Sequence, residues 1–496
     1  MIFESVTVTT LPLRRMGALL LICISVLIGC AVGPRYSKPA AAPPPQYKET
    51  PQNWKTAQPN DQIERGKWWE VYGDSQLNAL EEQINVSNQN LKAAEAAYQQ
   101  ARALVRFNRA NYYPTVTAGI SGARTHNSVN RPLGRLSQSN TTDIVIPVDI
   151  SWEPDVFGRI RRTVEAARSN AQASAADLES VNLSLHAELA LGYFQLRTLD
   201  AEAQLLNSTV EAFQRALELT RNRYQGGVAS AVDVAQAETQ LETTRAQATD
   251  VLIARAQDEH AIAILIGQPA STFAIPVSPW NSEPPAIPPG LPSDLLERRP
   301  DIAAAERRVA AANAQIGVAR AAYFPVFNIS GSGGFESSSI TTLLQGPAGF
   351  FSAGASAAVT AFDVGRRRAV SEQARAAYDQ SVANYRETIL TAFGEVEDNL
   401  AALRILEDEA RIQAAAVAAA QRSLDLSTNR YKGGVVNYLE VITAQSAALA
   451  DERAMVDILR RRMTASVSLI KALGGGWNVA NLPSASLTTL AQPAGQ

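Results

Sequence analysis

Thiols and imidazoles are scarce in this chain of 496 residues, which holds two Cys and three His. The His residues, at 126, 186 and 260, are scattered, and neither Cys belongs to a metal-ligand spacing, so a zinc centre or a Cys/His redox motif is excluded. No P-loop and no dinucleotide-binding glycine pattern occurs, and no cofactor or catalytic constellation is expected. A cationic surplus is missing too: 45 Lys and Arg against 48 Asp and Glu leave a formal charge of −3, which excludes the basic footprint of a nucleic-acid binder. Proline is absent between Pro154 and Pro269 and again between Pro347 and Pro483, while Pro39 to Pro59 and Pro276 to Pro300 are crowded. Such proline-free spans can hold very long helices. With 46% hydrophobic residues the chain can bury a large core.

The N-terminus reads as an address. Arg14 and Arg15 precede an apolar run from Met16 to Ile28, short for a bilayer span but suited to the core of a signal peptide over residues 1–29. The run ends in "LIGC", which resembles the lipobox of bacterial lipoproteins and makes Cys30 the acylated first residue of the mature chain; cleavage without a lipid, or an uncleaved anchor, are the other readings. Position 31 is Ala, not the Asp associated with inner-membrane retention, so the resemblance implies the outer membrane. Cys23 then leaves with the leader. Residues 30–66 are rich in Pro and Ala and predict an extended tether. "WWEVYGDSQLNAL" from Trp68 begins regular structure, with Asp74 or Ser75 as a helix cap and Trp68 and Trp69 in the core.

The rest is written twice. "NRYQGGVASAVDV" at Asn222 returns as "NRYKGGVVNYLEV" at Asn429, 207 residues on, and in the same register Gly158-Arg159 meets Gly365-Arg366, Leu199 meets Leu406 and Gly267 meets Gly474. "ANYYPTVTAGISG" at Ala110 likewise pairs with "AAYFPVFNISGSG" at Ala321. The first copy spans 67–269 and the second 294–475, with a linker over 270–293 and a tail over 476–496. In each copy the pattern predicts two short strands (about 114–122 and 143–152; about 325–333 and 350–362), a very long helix (159–223; 366–430), a Gly-Gly turn and another long helix (231–266; 437–473). A helix over 159–223 measures about 97 Å, too long for any compact globule. Leu178, Leu185, Leu199, Leu206 and Phe213 sit on a seven-residue grid, the spacing of lengthwise helix pairing. Ile144, Ile146, Val148, Ile150 and Trp152 alternate with more polar neighbours, and about ten residues suits a tilted membrane strand. Four strands cannot close a membrane barrel and an open edge in lipid is forbidden, so the chain must oligomerise through its strands.

The lipobox, "WWEVYGDSQLNALE", "SWEPDVFGRIR" with its partner "FDVGRRR", "ERRPDIAAAE" and the two "NRYxGGV" turns together resemble the TolC-type outer-membrane efflux proteins, in their lipoprotein branch serving tripartite drug exporters. The resemblance covers essentially the whole mature chain. It implies a mainly α fold with a membrane β-barrel portion: three protomers, each giving four strands to a twelve-stranded barrel continuous with a periplasmic α-helical barrel. It further implies a periplasmic adaptor and an inner-membrane RND-type pump as partners, and small toxic molecules as cargo. A protein-secretion duct on the same fold, or a coiled-coil envelope lipoprotein without a pore, are the alternatives.

Gly226, Gly227, Gly433 and Gly434 would form the hairpin tips that close the tunnel and meet the adaptor. Ser230 with Asp233, and Asn437 with Glu440, have the spacing of helix capping pairs. In the family they match acidic positions near the aperture, where Tyr431 resembles a gate-closing hydrogen-bond donor and Leu439 an apolar constriction. The chain departs from the pattern at Thr443, where a second acid is common, and at Val436 and Ser446, where Arg occurs. Two basic clusters, Arg159, Arg161 and Arg162, then Arg366, Arg367 and Arg368, open the long helices. Cations oppose the macrodipole there, so either lipid head groups or carboxylate partners should favour them.

Overall fold

A computed structural model describes residues 31–41, 43–49, 67–126, 128, 140–278, 283–287 and 292–483. The leader, Cys30 and the end of the tail lie outside the described residues. The described elements run α1 (Ser75–Ser87), α2 (Gln89–Ala110), β1 (Thr115–Ala118), β2 (Ser121–His126), β3 (Asn140–Trp152), α3 (Arg159–Gln225), α4 (Ala231–Leu265), α5 (Pro300–Ala321), β4 (Val326–Ser337), β5 (Gly349–Ala358), α6 (Arg366–Lys432) and α7 (Tyr438–Ala472), with short helical turns between.

The proline-free spans become helices of equal length in the two copies. α3 and α6 have 67 residues each, about 100 Å, and α4 and α7 have 35 each. α4 returns along α3 and α7 along α6, α7 also touches α3, while α2 lies on α3 and α5 lies between α3 and α6. The seven-residue grid is the seam: Leu185, Leu199, Leu206 and Phe213 are buried. Each long helix ends in the same way. Gly227 takes φ +74° and donates to the Tyr224 carbonyl, and the Val228 N–H donates to the Arg223 carbonyl; Gly434 (φ +73°) and Val435 repeat this on Tyr431 and Arg430. These are Schellman endings, in which a left-handed residue returns two N–H groups to the last free carbonyls. Gly226 and Gly433 remain right-handed, so only the second glycine of each pair is demanded by backbone conformation.

The strands form one antiparallel sheet in the order β1-β3-β4-β5, with β2 also on β3. One continuous strand is expected over 114–122; the structure divides it at Gly119 and Ile120 and extends it to His126. Thr115 faces Ser151 and His126 faces Asn140 in a single register, so the break falls opposite Pro147. Proline has no N–H for the ladder, and only the Gly119 N–H to Pro147 carbonyl bond of 3.1 Å remains. On its other side Pro147 faces Gly334, where a Cβ would lie 2.0 Å from the Ile146 carbonyl oxygen. The last strand stops at Ala358, short of the expected 362.

The N-terminal stretch is docked along its described length, where composition suggests a tether. The Val32 N–H donates to the Phe157 carbonyl at 3.1 Å, Arg162 donates to the carbonyls of Val32 and Gly33, and Asn313 donates to Pro34. Tyr36 donates to Glu306, the backbone N–H groups of Lys48 and Glu49 donate to Glu397, and Arg404 donates to Glu49 at 2.6 Å. A Pro-rich chain without a ladder of its own leaves backbone groups that side chains of the helices satisfy. This strap runs from the strand-to-helix junction to the middle of α6.

At that middle level the main core gathers Trp68, Trp69, Tyr72, Leu77, Ile84, Tyr193, Phe194, Ile389 and Leu469. Asp74 caps α1, accepting from Gln76 and Leu77, and also accepts from the Tyr193 hydroxyl at 2.6 Å. A separate small core of Phe213, Leu217, Leu241, Tyr431, Tyr438 and Val441 lies at the far end, under the two turns.

Candidate gate at the hairpin tips

Residues 209 and 211 apart in the chain meet at this far end, because the two hairpins pack side by side. Between their tips lies a cleft of about 550 Å³ lined by Arg223, Val232, Asp233, Tyr431, Val436 and Leu439, among others. Four of the expected tip and gate positions are thus brought together with the second turn: Asp233, Tyr431, Gly434 and Leu439.

Tyr431 is buried, 3% exposed, with its ring 5.2 Å from that of Tyr438. Its hydroxyl donates across to the Thr220 hydroxyl of α3 at 3.4 Å. Leu439 is 53% exposed and lines the same cleft. Asp233 completes the expected capping box: its N–H donates to the Ser230 hydroxyl at 3.2 Å, and its carboxylate accepts from the Ser230 N–H at 2.9 Å. Glu440 departs from the expectation. Asn437 makes no side-chain cap, and the Glu440 carboxylate, one methylene longer, accepts from Arg430 at 2.6 Å and from the Ser427 hydroxyl at 3.4 Å.

One residue of this site was not anticipated. Arg223, in the last turn of α3, donates from Nη1 to the Lys432 carbonyl at 2.9 Å and holds its guanidinium 4.7 Å from the Tyr431 ring centre. An Arg in the last turn of a helix ordinarily just compensates the macrodipole, so its spacing carries no signal of this contact.

At the opposite end the basic clusters meet carboxylates. Asp155 accepts from the N–H groups of Ile160 and Arg161 and from the Arg161 side chain, and Asp363 does the same for Arg367. Each aspartate caps its helix and neutralises a cation, which answers the macrodipole objection. Arg159 pairs with Glu153, Arg368 with Glu372, and Arg162 with Glu165. Arg162 is buried under the strap and is withdrawn from any lipid role. Beside this junction Phe157 stacks on Phe324 at 4.6 Å.

Long paired helices joined to an antiparallel sheet with exposed apolar residues such as Val116 and Phe351 are the architecture to be matched. The profile of the outer membrane efflux protein family matches residues 80–268 and 291–475. The probable efflux pump outer membrane protein TtgC of Pseudomonas putida is 32% identical over 91% of this chain and 94% of its own length. The cation efflux system protein CusC of Escherichia coli is 30% identical over 92% and 98%. The Campylobacter jejuni outer membrane channel CmeC superposes with a TM-score of 0.86 at 25% identity, covering 92% of this chain and 97% of that one. The chain belongs to the outer membrane efflux protein family, and its place is the outer membrane.

Proposed function

We propose that three copies of this chain close a twelve-stranded barrel and a helical tunnel, forming the exit duct of a tripartite efflux system. The observation that carries the reading is the pair of sheet edges that have no partner strand among the described residues. β1 and β2 flank one side and β5 the other, with Val116 61% and Phe351 90% exposed. Unpaired backbone in lipid costs several kcal/mol per group, so closure between protomers is the stable outcome. The partners in this reading are a periplasmic adaptor at the tips and an inner-membrane RND-type pump; the cargo is a small toxic molecule, passed without any catalytic step. Cys30 carries the lipid anchor, and the described strap that follows it starts at the strand-to-helix junction, where Val32 meets Phe157. Arg366, exposed at the first position of α6, is the head-group contact retained from the basic clusters.

Three copies of Leu439 around the axis form the apolar constriction, with Asp233 in the same cleft making the entrance electronegative and Glu440, partly offset by Arg430, adding to it. In planar bilayers the wild-type channel should be nearly shut and cation-preferring. Leu439→Ala should raise conductance, the plug contributing about 1 to 3 kcal/mol to the closed state. Glu440→Gln should chiefly weaken cation preference. Unchanged conductance in Leu439→Ala would place the constriction elsewhere.

A further inference from the structure

We propose that Arg223 is the latch that holds the second hairpin to the first within each protomer, and that one methylene decides which hairpin carries it. The proposal rests on reading the tips as the gate. The duplication supplies an internal comparison, since Arg223 and Arg430 are equivalent, as are Asp233 and Glu440, Thr220 and Ser427, and Tyr224 and Tyr431.

In the second hairpin Arg430 finds a carboxylate at home: Glu440 accepts from its Nη1 at 2.6 Å. The first hairpin offers the shorter Asp233, and that carboxylate is turned back onto the Ser230 N–H in the capping box. Arg223 therefore crosses to the other hairpin. There it meets the carbonyl of Lys432, the last residue of α6, which is free of intrahelical bonding and lies at the negative end of the macrodipole. Its guanidinium covers the face of Tyr431 while Thr220, one turn earlier on α3, accepts from the Tyr431 hydroxyl. Tyr431 is held by its face and by its hydroxyl from one helix. Among the described residues the Arg223 Nε is buried without a partner, so that nitrogen has given up water to make these contacts. Splaying the hairpins breaks all three links together, whereas the Arg430–Glu440 pair moves with its own hairpin and resists nothing. The chain lacks an Arg at Val436 and Ser446, and a cation from the opposite hairpin does the closing.

Single-channel recording and pulsed dipolar distances between spin labels at Glu218→Cys and Asp425→Cys test this. Arg223→Gln should raise the open-to-closed ratio roughly tenfold or more, the effect of losing a hydrogen bond from a charged donor, and lengthen the label distance. Asp233→Glu should do the same without changing net charge, by giving Arg223 a carboxylate within its own hairpin. Arg223→Lys, which keeps the donor and loses the planar stack, should fall between. Arg221→Gln, whose partner Glu238 lies in the same hairpin, should change neither readout. If Leu439→Ala opens the channel while Arg223→Gln and Asp233→Glu change neither conductance nor distance, the latch is refuted and the gate stands. If the distances lengthen but none of these variants, Leu439→Ala included, alters conductance, the latch stands and the gate reading fails. Opening by Arg223→Gln alone would overturn the role given to the methylene.

Discussion

Glu81 and His186 face one another in the main core, with Nδ1 2.6 Å from a carboxylate oxygen, Trp69 stacked 4.3 Å from the imidazole, and Asn85 Oδ1 3.3 Å from Nε2. Burial pushes the Glu81 carboxyl well above its usual range and the His186 imidazole down to about 4. Both directions favour a neutral pair: Nε2–H donates to Asn85, and protonated Glu81 donates to Nδ1. The two groups act on stability in opposite senses. A depressed histidine contributes stability above its unfolded value near 6.5 that is lost as pH falls toward 4; a raised carboxyl contributes stability below about 4.5 that is lost as pH rises. Glu81→Gln should therefore lose up to about 3 kcal/mol between pH 6.5 and 4, the linkage value of the displaced histidine. His186→Gln should instead weaken as pH rises above 4.5. Melting temperatures in detergent over this range check the signs, and a stability that stays flat with pH in either variant would show that burial does not shift the remaining group. Nothing in the spacing of His186 announced this contact, because its partner lies 105 residues away.

Four helix endings share one device and differ in surroundings. Gly227 and Gly434 turn at the tips, where a Cβ at Gly227 would meet nothing within 4 Å. Gly267 and Gly474 end α4 and α7 against other chain segments: a Cβ would lie 2.4 Å from the Ser87 carbonyl oxygen and 2.1 Å from that of Arg298. Gly227→Ala should cost only the left-handed penalty, about 1 kcal/mol. Gly474→Ala adds a collision with fixed backbone and should cost about 3 kcal/mol or more. Thermal unfolding of the two variants compares them, and equal losses would mean that the contact at Arg298 yields freely. The position of each ending was legible, since glycine after a periodic apolar run is a local signal. The collision was not, because Arg298 reaches Gly474 only through the packing of the second copy. The sheet divides the same way: alternation marks the strands, but the break opposite Pro147 depends on which residue that proline faces.

Among the described residues the sheet has two unpaired edges, and the N-terminal strap ends in the main body. If three protomers close the barrel, native mass spectrometry of detergent-extracted protein should give three times the mass of the processed chain. Each protomer in the same spectrum should begin at Cys30 and carry acyl chains, which Cys30→Ser abolishes. Three-fold stoichiometry should survive that substitution, since the strands close the assembly. A stable monomer with intact β-structure would refute closure between chains, and an unmodified protomer would refute the anchor.

Local chemistry was determined by the sequence alone. The duplication, the proline-free helices, the glycine endings and the Asp233 cap each follow from torsional preference and bonding between near neighbours, which spacing records. Family resemblance then supplied the expectation of a barrel, a tunnel and gate positions at Leu439 and Glu440. Tertiary structure decided how distant groups are paired: the strap laid on α5 and α6, the carboxylates opposite the basic clusters, Glu440 drawn to Arg430, and Arg223 sent across to Tyr431 and Lys432. A long charged side chain bonds whichever partner packing brings within about 3 Å. That distance is set by the juxtaposition of two hairpins some two hundred residues apart in the chain, which no local pattern encodes.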